Sequence, residues 1–364
     1  MKAIILTGNK LSCIDIDQPK IQSPTDVKLR VLEVGICGTD RELARSGCPH
    51  YPSDEKQLVI GHEMLGSVVE IGKDVRGLNV GDLAVVTVRR GCGQCRCCLS
   101  DRQDMCSSDQ YLERGIKGLH GFQAEYVVDQ EYYIVKVPHC LASVGVLCEP
   151  MSVVQKAIEN GVSLQKSRLP DWTEMPSVNN KKALVVGLGT IGLLGCFVLR
   201  LRGFSVFAID HFSSDSLRAK IVEEIGGVYI DGREIQYEDL PIKHGQIDLI
   251  LEAACNTKVD FELLSALGSN GVAIFTGVPE AGSILEVQGG DLMHNLTLHN
   301  QLILGSVNAS KKHWELGIRD LELADKQWGA ALKKVITQKS PYKDFKDLIG
   351  INNPNEIKRV VTWV

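Results

Sequence analysis

The first half of the chain consists mainly of short segments in which hydrophobic and polar residues alternate, with glycines between them. Because successive side chains of a strand point to opposite faces, this alternation predicts β-strands with one buried face. The predicted strands lie at 27–34, 59–71, 83–88, 124–128 and 134–137. The N-terminal part is therefore expected to form an irregular, mostly β domain.

A different rhythm begins near Lys181, where short apolar runs alternate with helical segments such as 190–202. These runs lie at 183–186, 205–209, 247–251 and 272–275. Such a pattern is typical of a parallel sheet covered by helices on both faces. The pattern becomes mixed again after 302–307, with a predicted helix at 314–328 and a last strand at 359–364.

We therefore predict an α/β fold in which a doubly wound parallel sheet at 181–307 is inserted into a mostly β domain. That second domain would be formed by 1–180 and by the return segment 308–364. Residues 167–180 contain two prolines and no clear period, so they are the best candidate for the connection.

A glycine-rich turn follows the first apolar strand of the α/β region. Gly187, Gly189 and Gly192 have the GxGxxG spacing, and the motif stands where a strand ends and a helix begins. Glycine permits the tight turn and the close approach of the backbone to a pyrophosphate, which the amides of the first helical residues, Thr190 and Ile191, would bind. The sequence therefore predicts a dinucleotide site.

Asp210 ends the next predicted strand, about twenty residues further on, where a carboxylate accepts hydrogen bonds from the adenosine ribose. Its charge would repel a ribose 2′-phosphate, so we predict that NAD is preferred over NADP. NADP stays open because Arg218 is near in sequence and His211 could contact either cofactor.

A cluster of cysteines predicts a closed metal site in the loop 91–107. Cys92, Cys95, Cys98 and Cys106 follow the spacing C-x2-C-x2-C-x7-C, which brings four thiolates around one tetrahedral ion and leaves no position for water. Such a site stabilises a loop and does not catalyse. Cys97 could replace a neighbour, and an iron–sulfur cluster is an alternative, although structural zinc is favoured.

A second set of potential ligands is spread along the chain: Cys37, His62, Glu63 and Glu149. Thiolate, imidazole and carboxylate are the mixed ligands of catalytic zinc, which must keep a position open for water or a substrate oxygen. We predict two zinc ions per chain, one structural and one catalytic.

Composition excludes several classes of protein. The net charge of −5 gives no basic field for nucleic acid, and no apolar run approaches the length of a membrane span. The start of the chain lacks the pattern of a secretory signal. Twelve cysteines with clustered spacing favour metal ligands and free thiols over disulfides, so we expect a reducing cytoplasm.

The segment from Gly61 to Val75, GHEMLGSVVEIGKDV, resembles the signature of the zinc-dependent medium-chain dehydrogenases. Together with the cysteine cluster and the GxGxxG motif, the resemblance extends over nearly the whole chain. It implies a Rossmann domain inserted into a GroES-like catalytic domain, and a homo-oligomer, either a dimer or a tetramer, formed through the nucleotide domains.

Several segments are similar to archaeal-type glucose dehydrogenases: 37–42, 88–92, 113–116, 120–122, 148–150, 298–300 and 305–308. The resemblance implies oxidation of an aldose at C1 to the aldonolactone, with hydride transfer to NAD(P). In that family Thr39 would relay the proton, and Asn308 would lie near the nicotinamide. The residues that would bind sugar hydroxyls are Thr39, Glu113, Glu149 and Asn300.

Two alternatives remain. The same hydride chemistry could act on a polyol, threonine or another secondary alcohol. A non-enzymatic sensor that combines a zinc ribbon with a nucleotide fold is disfavoured by the acidic balance and by the absence of a basic or aromatic surface beside the cysteine cluster.

Overall fold

The computed structural model describes residues 1–172, 181–279, 281–282, 284–350 and 353–363. The chain divides into two compact units. The first contains Met1–Ser152, Asn308–Glu322 and Val335–Val364, and the second contains Val153–Val307 and Leu323–Lys334. These limits differ from the predicted ones at 180 and 307. The predicted connection at 167–180 extends into 173–180, which lie outside the described residues.

The first unit consists mainly of strands, as the alternating pattern predicts. In chain order they are β1 (Lys2–Thr7), β2 (Lys10–Asp15), β3 (Asp26–Ile36), β4 (Leu58–Val59), β5 (Glu63–Ile71), β6 (Leu83–Val86), β7 (Arg89–Arg90), β8 (Leu112–Arg114), β9 (Gly118–Leu119), β10 (Tyr126–Gln130) and β11 (Ile134–Val137). The second unit contributes β12 (Lys182–Val186), β13 (Ser205–Asp210), β14 (Val228–Asp231), β15 (Ile247–Glu252), β16 (Leu267–Phe275) and β17 (Leu302–Gly305). The C-terminal strands β18 (Ile336–Pro341) and β19 (Lys358–Thr362) belong to the first unit.

The largest sheet of the first unit has the order β11-β6-β5-β3-β19-β18, and β10 also pairs with β3. The last strands of the chain therefore complete a sheet that its N-terminal part begins. Two smaller sheets, β2-β1-β4 and β7-β8-β9, accompany it in the described residues. The side chains on the buried faces, including Val31, Val34 and Val361, form one hydrophobic core.

The second unit contains a parallel sheet with the order β14-β13-β12-β15-β16-β17. Numbered within the unit, this is the order 3-2-1-4-5-6 of a dinucleotide-binding sheet, whose ligands lie beyond the carboxyl ends of the strands. Its central strands are almost fully buried because helices cover both faces.

The helices are α1 (Gly38–Ser46), α2 (Arg96–Leu99), α3 (Cys148–Arg168), α4 (Thr190–Leu201), α5 (Leu217–Glu224), α6 (Leu240–His244), α7 (Thr257–Glu262), α8 (Gly289–Leu298), α9 (Lys311–Lys333) and α10 (Phe345–Gly350). Helix α9 has a kink at Trp328, whose backbone is not helical. Within the described part of the chain, no helix is long and apolar enough to cross a membrane.

The predicted fold class is confirmed, and the differences are local. The predicted strand at 59–71 is two strands, β4 and β5, because Gly61 turns the chain between them with a φ of 86°. The strand β14 was not predicted, because its burial is weak and gives little hydrophobic signal.

Candidate active site

Cys37 stands at the N-terminus of α1, where it is fixed by an acidic residue of the first helical turn. Its backbone amide donates to Asp40 Oδ2 over 2.8 Å, and the Asp40 side chain is buried. This is a reciprocal capping arrangement, which satisfies an amide that the helix leaves unpaired. Thr39 lies in the same turn, with Oγ1 3.8 Å from Cys37 Sγ.

Glu63 is the first residue of β5, and His62 directly precedes it after the Gly61 turn; both side chains are buried. Ligand atoms of Cys37, His62 and Glu63 all lie within 4.8 Å of one another. His62 Nδ1 is 3.5 Å from Asp40 Oδ1. Burial works against a charge on His62, but Asp40 and then Cys37 outweigh it and raise the pKa of the imidazole well above its usual value.

Lys358, at the start of β19, was missed by the sequence analysis. Its Nζ donates to both oxygens of Glu63, over 2.8 and 2.7 Å, and to the carbonyl of Ile36 over 3.2 Å. Burial disfavours the ammonium, but Glu63 outweighs it, so the pKa of Lys358 is raised. A lysine beside a predicted strand carries no sequence signal for this role, because the pairing joins residues 295 positions apart.

Gly35 on β3 makes room for the Glu63 carboxylate. A Cβ at this position would lie 2.1 Å from Glu63 Oε2, so any other residue would displace the acid.

Glu149 lies in the first turn of α3 and is half-buried. Burial raises the pKa of Glu149 to about 7. The charge of Glu63 also raises this pKa, whereas that of His62 lowers it. The set of ligand atoms within 4.8 Å contains Cys37, His62 and Glu63 but not Glu149. The predicted metal and sugar contacts of Glu149 stay predictions.

The residues present fit a catalytic zinc ion. A thiolate, an imidazole and a carboxylate converge from α1 and β5, which is the donor set of zinc sites that keep a position open. A carboxylate beside the histidine is a common outer partner of such ligands, and Asp40 has this position.

The cysteine cluster forms a separate, local set. The sulfur atoms of Cys92, Cys95, Cys98 and Cys106 lie within 4.8 Å of one another, and Cys97 is not in this set. Four thiolates in this arrangement fit a closed tetrahedral zinc site. The amides of Cys98 and Ser107 lower the pKa of the Cys95 thiol to about 5, whereas burial raises that of Cys98 to about 12.

Glu113, on β8, is buried, which excludes an ordinary surface carboxylate. Arg89 on β7 lies opposite Glu113 in the pairing of β7 with β8. It donates to Glu113 Oε1 from Nε over 3.0 Å and from Nη2 over 2.8 Å. Asn308, predicted to lie near the nicotinamide, donates from Nδ2 to the same oxygen over 2.7 Å. The structure thus places Glu113, a predicted sugar ligand, in contact with Asn308, a predicted cofactor residue. Arg89, which the sequence did not indicate, contacts the same carboxylate.

The glycine-rich turn of the second unit joins β12 to α4, whose first residues are Thr190 and Ile191. A Cβ on Gly192 would lie 1.8 Å from the carbonyl oxygen of Gly187, so the helix can pack this closely only with glycine there. The predicted dinucleotide turn therefore has the geometry that its sequence requires.

Asp210 and Arg218 hold Leu188, the residue between the first two glycines of the turn. Asp210 Oδ2 accepts from the Leu188 amide over 2.7 Å, and Oδ1 accepts from the His211 amide over 2.7 Å. Arg218 Nε donates to the Leu188 carbonyl over 3.0 Å, and its guanidinium lies 4.1 Å from the Phe212 ring centre.

Asn300 lies in the second unit, between α8 and β17, and is exposed with a φ of 48°. Its carbonyl oxygen accepts a hydrogen bond from Arg168. Its predicted contact with sugar hydroxyls stays a prediction.

Two family patterns match the chain. The family described as "Glucose dehydrogenase C-terminus" matches residues 142–363, more than half of the chain, and "Alcohol dehydrogenase GroES-like domain" matches 23–139. The chain belongs to the glucose dehydrogenase family of zinc-dependent medium-chain dehydrogenases. The predicted family and enzyme class, an NAD(P)-dependent zinc dehydrogenase, are thereby confirmed.

Named relatives agree over the full length. The glucose 1-dehydrogenase of Methanocella arvoryzae is 36% identical and covers 100% of this chain and 99% of its own. Glucose 1-dehydrogenase 1 of Caldivirga maquilingensis is 38% identical, with 99% and 98% covered. The solved glucose dehydrogenase of Haloferax mediterranei, in complex with NADP, Zn and gluconolactone, has a TM-score of 0.89 at 30% identity, with 100% and 99% covered.

Proposed function

We propose that this protein oxidises an aldose at C1 to the aldonolactone and reduces NAD(P). The observation that carries the proposal is the convergence of Cys37, His62 and Glu63 within 4.8 Å, in a unit that also holds a buried carboxylate, Glu113, suited to a hydroxyl. The Haloferax relative, whose structure contains gluconolactone, supports the same reaction.

Cys37 and His62 would hold the catalytic zinc, with Glu63 and Glu149 as further ligands. Bound zinc supplies Lewis acidity, and bound NAD(P) supplies the hydride acceptor. Asp40 orients both Cys37 and His62, and Lys358 holds Glu63. Cys92, Cys95, Cys98 and Cys106 would hold a second, structural zinc.

The chain's own groups handle the proton and the substrate hydroxyls. Thr39 lies beside Cys37, so its hydroxyl can pass on the proton that the C1 hydroxyl loses. Glu113, Glu149 and Asn300 would accept hydrogen bonds from other hydroxyls of the sugar. A site with fixed partners for hydroxyls discriminates strongly against analogues that lack them.

NAD is the proposed cofactor, with NADP as a second one. The cofactor site would comprise Gly187, Gly189, Thr190, Ile191, Gly192, Asp210, His211 and Asn308. The Asp210 carboxylate disfavours a 2′-phosphate, and Arg218 directs its Nε towards Leu188. Asn308 would lie near the nicotinamide, and its side-chain amide also donates to Glu113.

We further propose a homo-oligomer in the cytoplasm, either a dimer or a tetramer. The edge strand β17 supports the oligomer, since it ends the parallel sheet and exposes Ile303. No disulfide joins the cysteines of the described residues, which suits a reducing compartment. Light scattering after gel filtration would test the assembly.

The experiment that tests the function is a panel of aldoses, polyols, threonine and simple secondary alcohols, each assayed with NAD and with NADP. We expect an aldose to have the highest kcat/KM, and an aldonolactone as the product. If a polyol or threonine is oxidised and no aldose is, the proposal is wrong. Higher kcat/KM with NADP would overturn the cofactor preference alone.

A further inference from the structure

One oxygen of the Glu113 carboxylate receives all of its described side-chain hydrogen bonds. Arg89 Nε and Nη2 and Asn308 Nδ2 donate to Oε1 over 3.0, 2.8 and 2.7 Å. A carboxylate has about four acceptor positions, two on each oxygen. Three donors therefore saturate Oε1.

The other oxygen, Oε2, keeps its acceptor capacity. No hydrogen bond from the described residues reaches it, yet it is not among the buried polar atoms that lack a partner. The Glu113 side chain is 12% exposed. Oε2 is therefore the part of the carboxylate that faces solvent and can accept from a ligand.

Arg89 is itself held in place on several sides. Its Nη1 donates to the carbonyl of Asp104 over 3.1 Å, and its guanidinium lies 4.1 Å from the ring centre of Tyr111. Asp104 lies in the loop of the cysteine cluster, two residues before Cys106. The Arg89 guanidinium, which donates to Glu113, is thus also hydrogen-bonded to the loop of the cysteine cluster.

Asn308 is fixed as firmly. Its backbone has a φ of 62°, in the left-handed region, and its Oδ1 accepts from the amide of Ala309 over 2.8 Å. With Oδ1 engaged by the backbone, Nδ2 is directed to Glu113. Asparagine is among the non-glycine residues that adopt this conformation most readily, so the residue type suits the backbone at this position.

We propose that Arg89 and Asn308 are positioning residues that fix Glu113, so that Oε2 is presented to one hydroxyl of the substrate. This inference rests on the proposed function for the identity of the ligand. It assigns Arg89 no contact with the sugar. Since Oε2 only accepts, the substrate must donate at that place, and a deoxy or O-methyl sugar lacks the donor.

The test uses Arg89→Met, Arg89→Lys, Glu113→Gln and the double variant Arg89→Met/Glu113→Gln, with Arg76→Met, an exposed arginine of the same unit, as the matched control. KM and kcat are measured in the full-length zinc-loaded enzyme for the best substrate of the panel and for its deoxy analogues. Thermal midpoints identify any variant that fails to fold. Arg89→Lys keeps the positive charge but lacks the paired guanidinium donors. If Arg89→Met is unstable, this variant therefore tests whether the paired hydrogen bonds to Glu113 are needed.

We expect Glu113→Gln and Arg89→Met each to raise the KM for the substrate by about tenfold to 100-fold, with the KM for NAD unchanged. Because Arg89 acts through Glu113, the double variant should be within about twofold of Glu113→Gln. The preference for the parent substrate over one deoxy analogue should disappear in the Arg89 variants, while preferences at other positions remain.

Two results would overturn the inference: multiplicative effects of Arg89→Met and Glu113→Gln, or an equal loss for every deoxy analogue. Either would make Arg89 a separate ligand or a general structural residue. If the best substrate is not an aldose, the proposed function is wrong, but the same double-variant comparison on that substrate still decides the role of Arg89.

Discussion

The two sets of potential metal ligands in this chain are built in opposite ways. The cysteine cluster takes all its ligands from one short loop, 92–106, and from one kind of side chain. The set around Cys37 takes ligands from α1 and β5, and its outer partner Lys358 comes from the last strand. A closed, uniform site can be local, whereas a mixed site with a free position depends on the tertiary fold to fix each ligand.

The surroundings of the two sets differ accordingly. Asp40, Glu63 and Lys358 are all nearly fully buried, so each charge around Cys37 depends on a partner in the low-dielectric interior. In the cluster, Cys98 is buried, but the other three ligands are partly exposed. Loss of one group should therefore have different consequences in the two places.

The largest effect is expected from Cys37→Ala. Loss of the thiolate removes a ligand of the proposed catalytic zinc and should reduce kcat by at least about 1000-fold. NADH binding, measured by fluorescence titration, should be unchanged because the glycine-rich turn belongs to the other unit. The exposed Cys48→Ala is the control and should keep full activity. Normal turnover of Cys37→Ala would refute the zinc assignment.

Lys358→Met tests whether the set of Cys37, His62 and Glu63 depends on the buried ion pair between Lys358 and Glu63. Removal of the ammonium leaves the Glu63 carboxylate buried without its partner, which should lower the free energy of unfolding by about 3–5 kcal/mol. Denaturant unfolding of the zinc-free protein, in which no metal ion can pair with Glu63, measures it. The double variant Lys358→Met/Glu63→Gln should recover part of the loss, since no charge remains unpaired. A loss equal in both variants would contradict the ion-pair explanation.

Cys106→Ser should affect stability more than chemistry. The zinc content should fall from two ions to about one, and the thermal midpoint should fall by about 5–10 °C because a loop loses its cross-link. The kcat at 25 °C should stay within about tenfold of the wild type. Cys97→Ser, one residue from a ligand but outside the set, should retain both ions. Loss of zinc in Cys97→Ser would show that Cys97 replaces one of the four cysteines of the cluster as a ligand.

The sequence predicted the cysteine cluster and the dinucleotide turn because both are encoded locally. Spacing alone identifies Cys92 to Cys106, and a strand, a glycine motif and a helix in succession identify Gly187 to Gly192. The pattern of apolar runs likewise predicted the parallel sheet of the second unit.

The residues that contact the set of Cys37, His62 and Glu63 could not be predicted in the same way. Lys358 reaches Glu63 only because β19 pairs with β3 next to β5, and nothing in the local pattern encodes that pairing. Arg89 and Glu113 face each other across two short strands, which hydrophobic periodicity does not detect. Asp40 did carry a signal, since an acid three residues after a helix-capping residue is typical of a capping box.

The smallest expected effect concerns the carboxylate of Asp260, which lies outside both sets of potential metal ligands. Burial, with Glu252 adding to it, raises the pKa of Asp260 to about 6. An acid whose folded-state pKa lies above its unfolded one stabilises least when ionised, so its unfavourable contribution develops as the pH rises from about 4 to 6.

Asp260→Asn removes that titration. Because the site is partly exposed, the gain in stability should be at most about 1 kcal/mol at pH 7.5 and about a third as large at pH 4.5. Denaturant midpoints at the two pH values measure it, with the exposed Asp17→Asn as a control. Equal midpoint shifts at both pH values would contradict the titration.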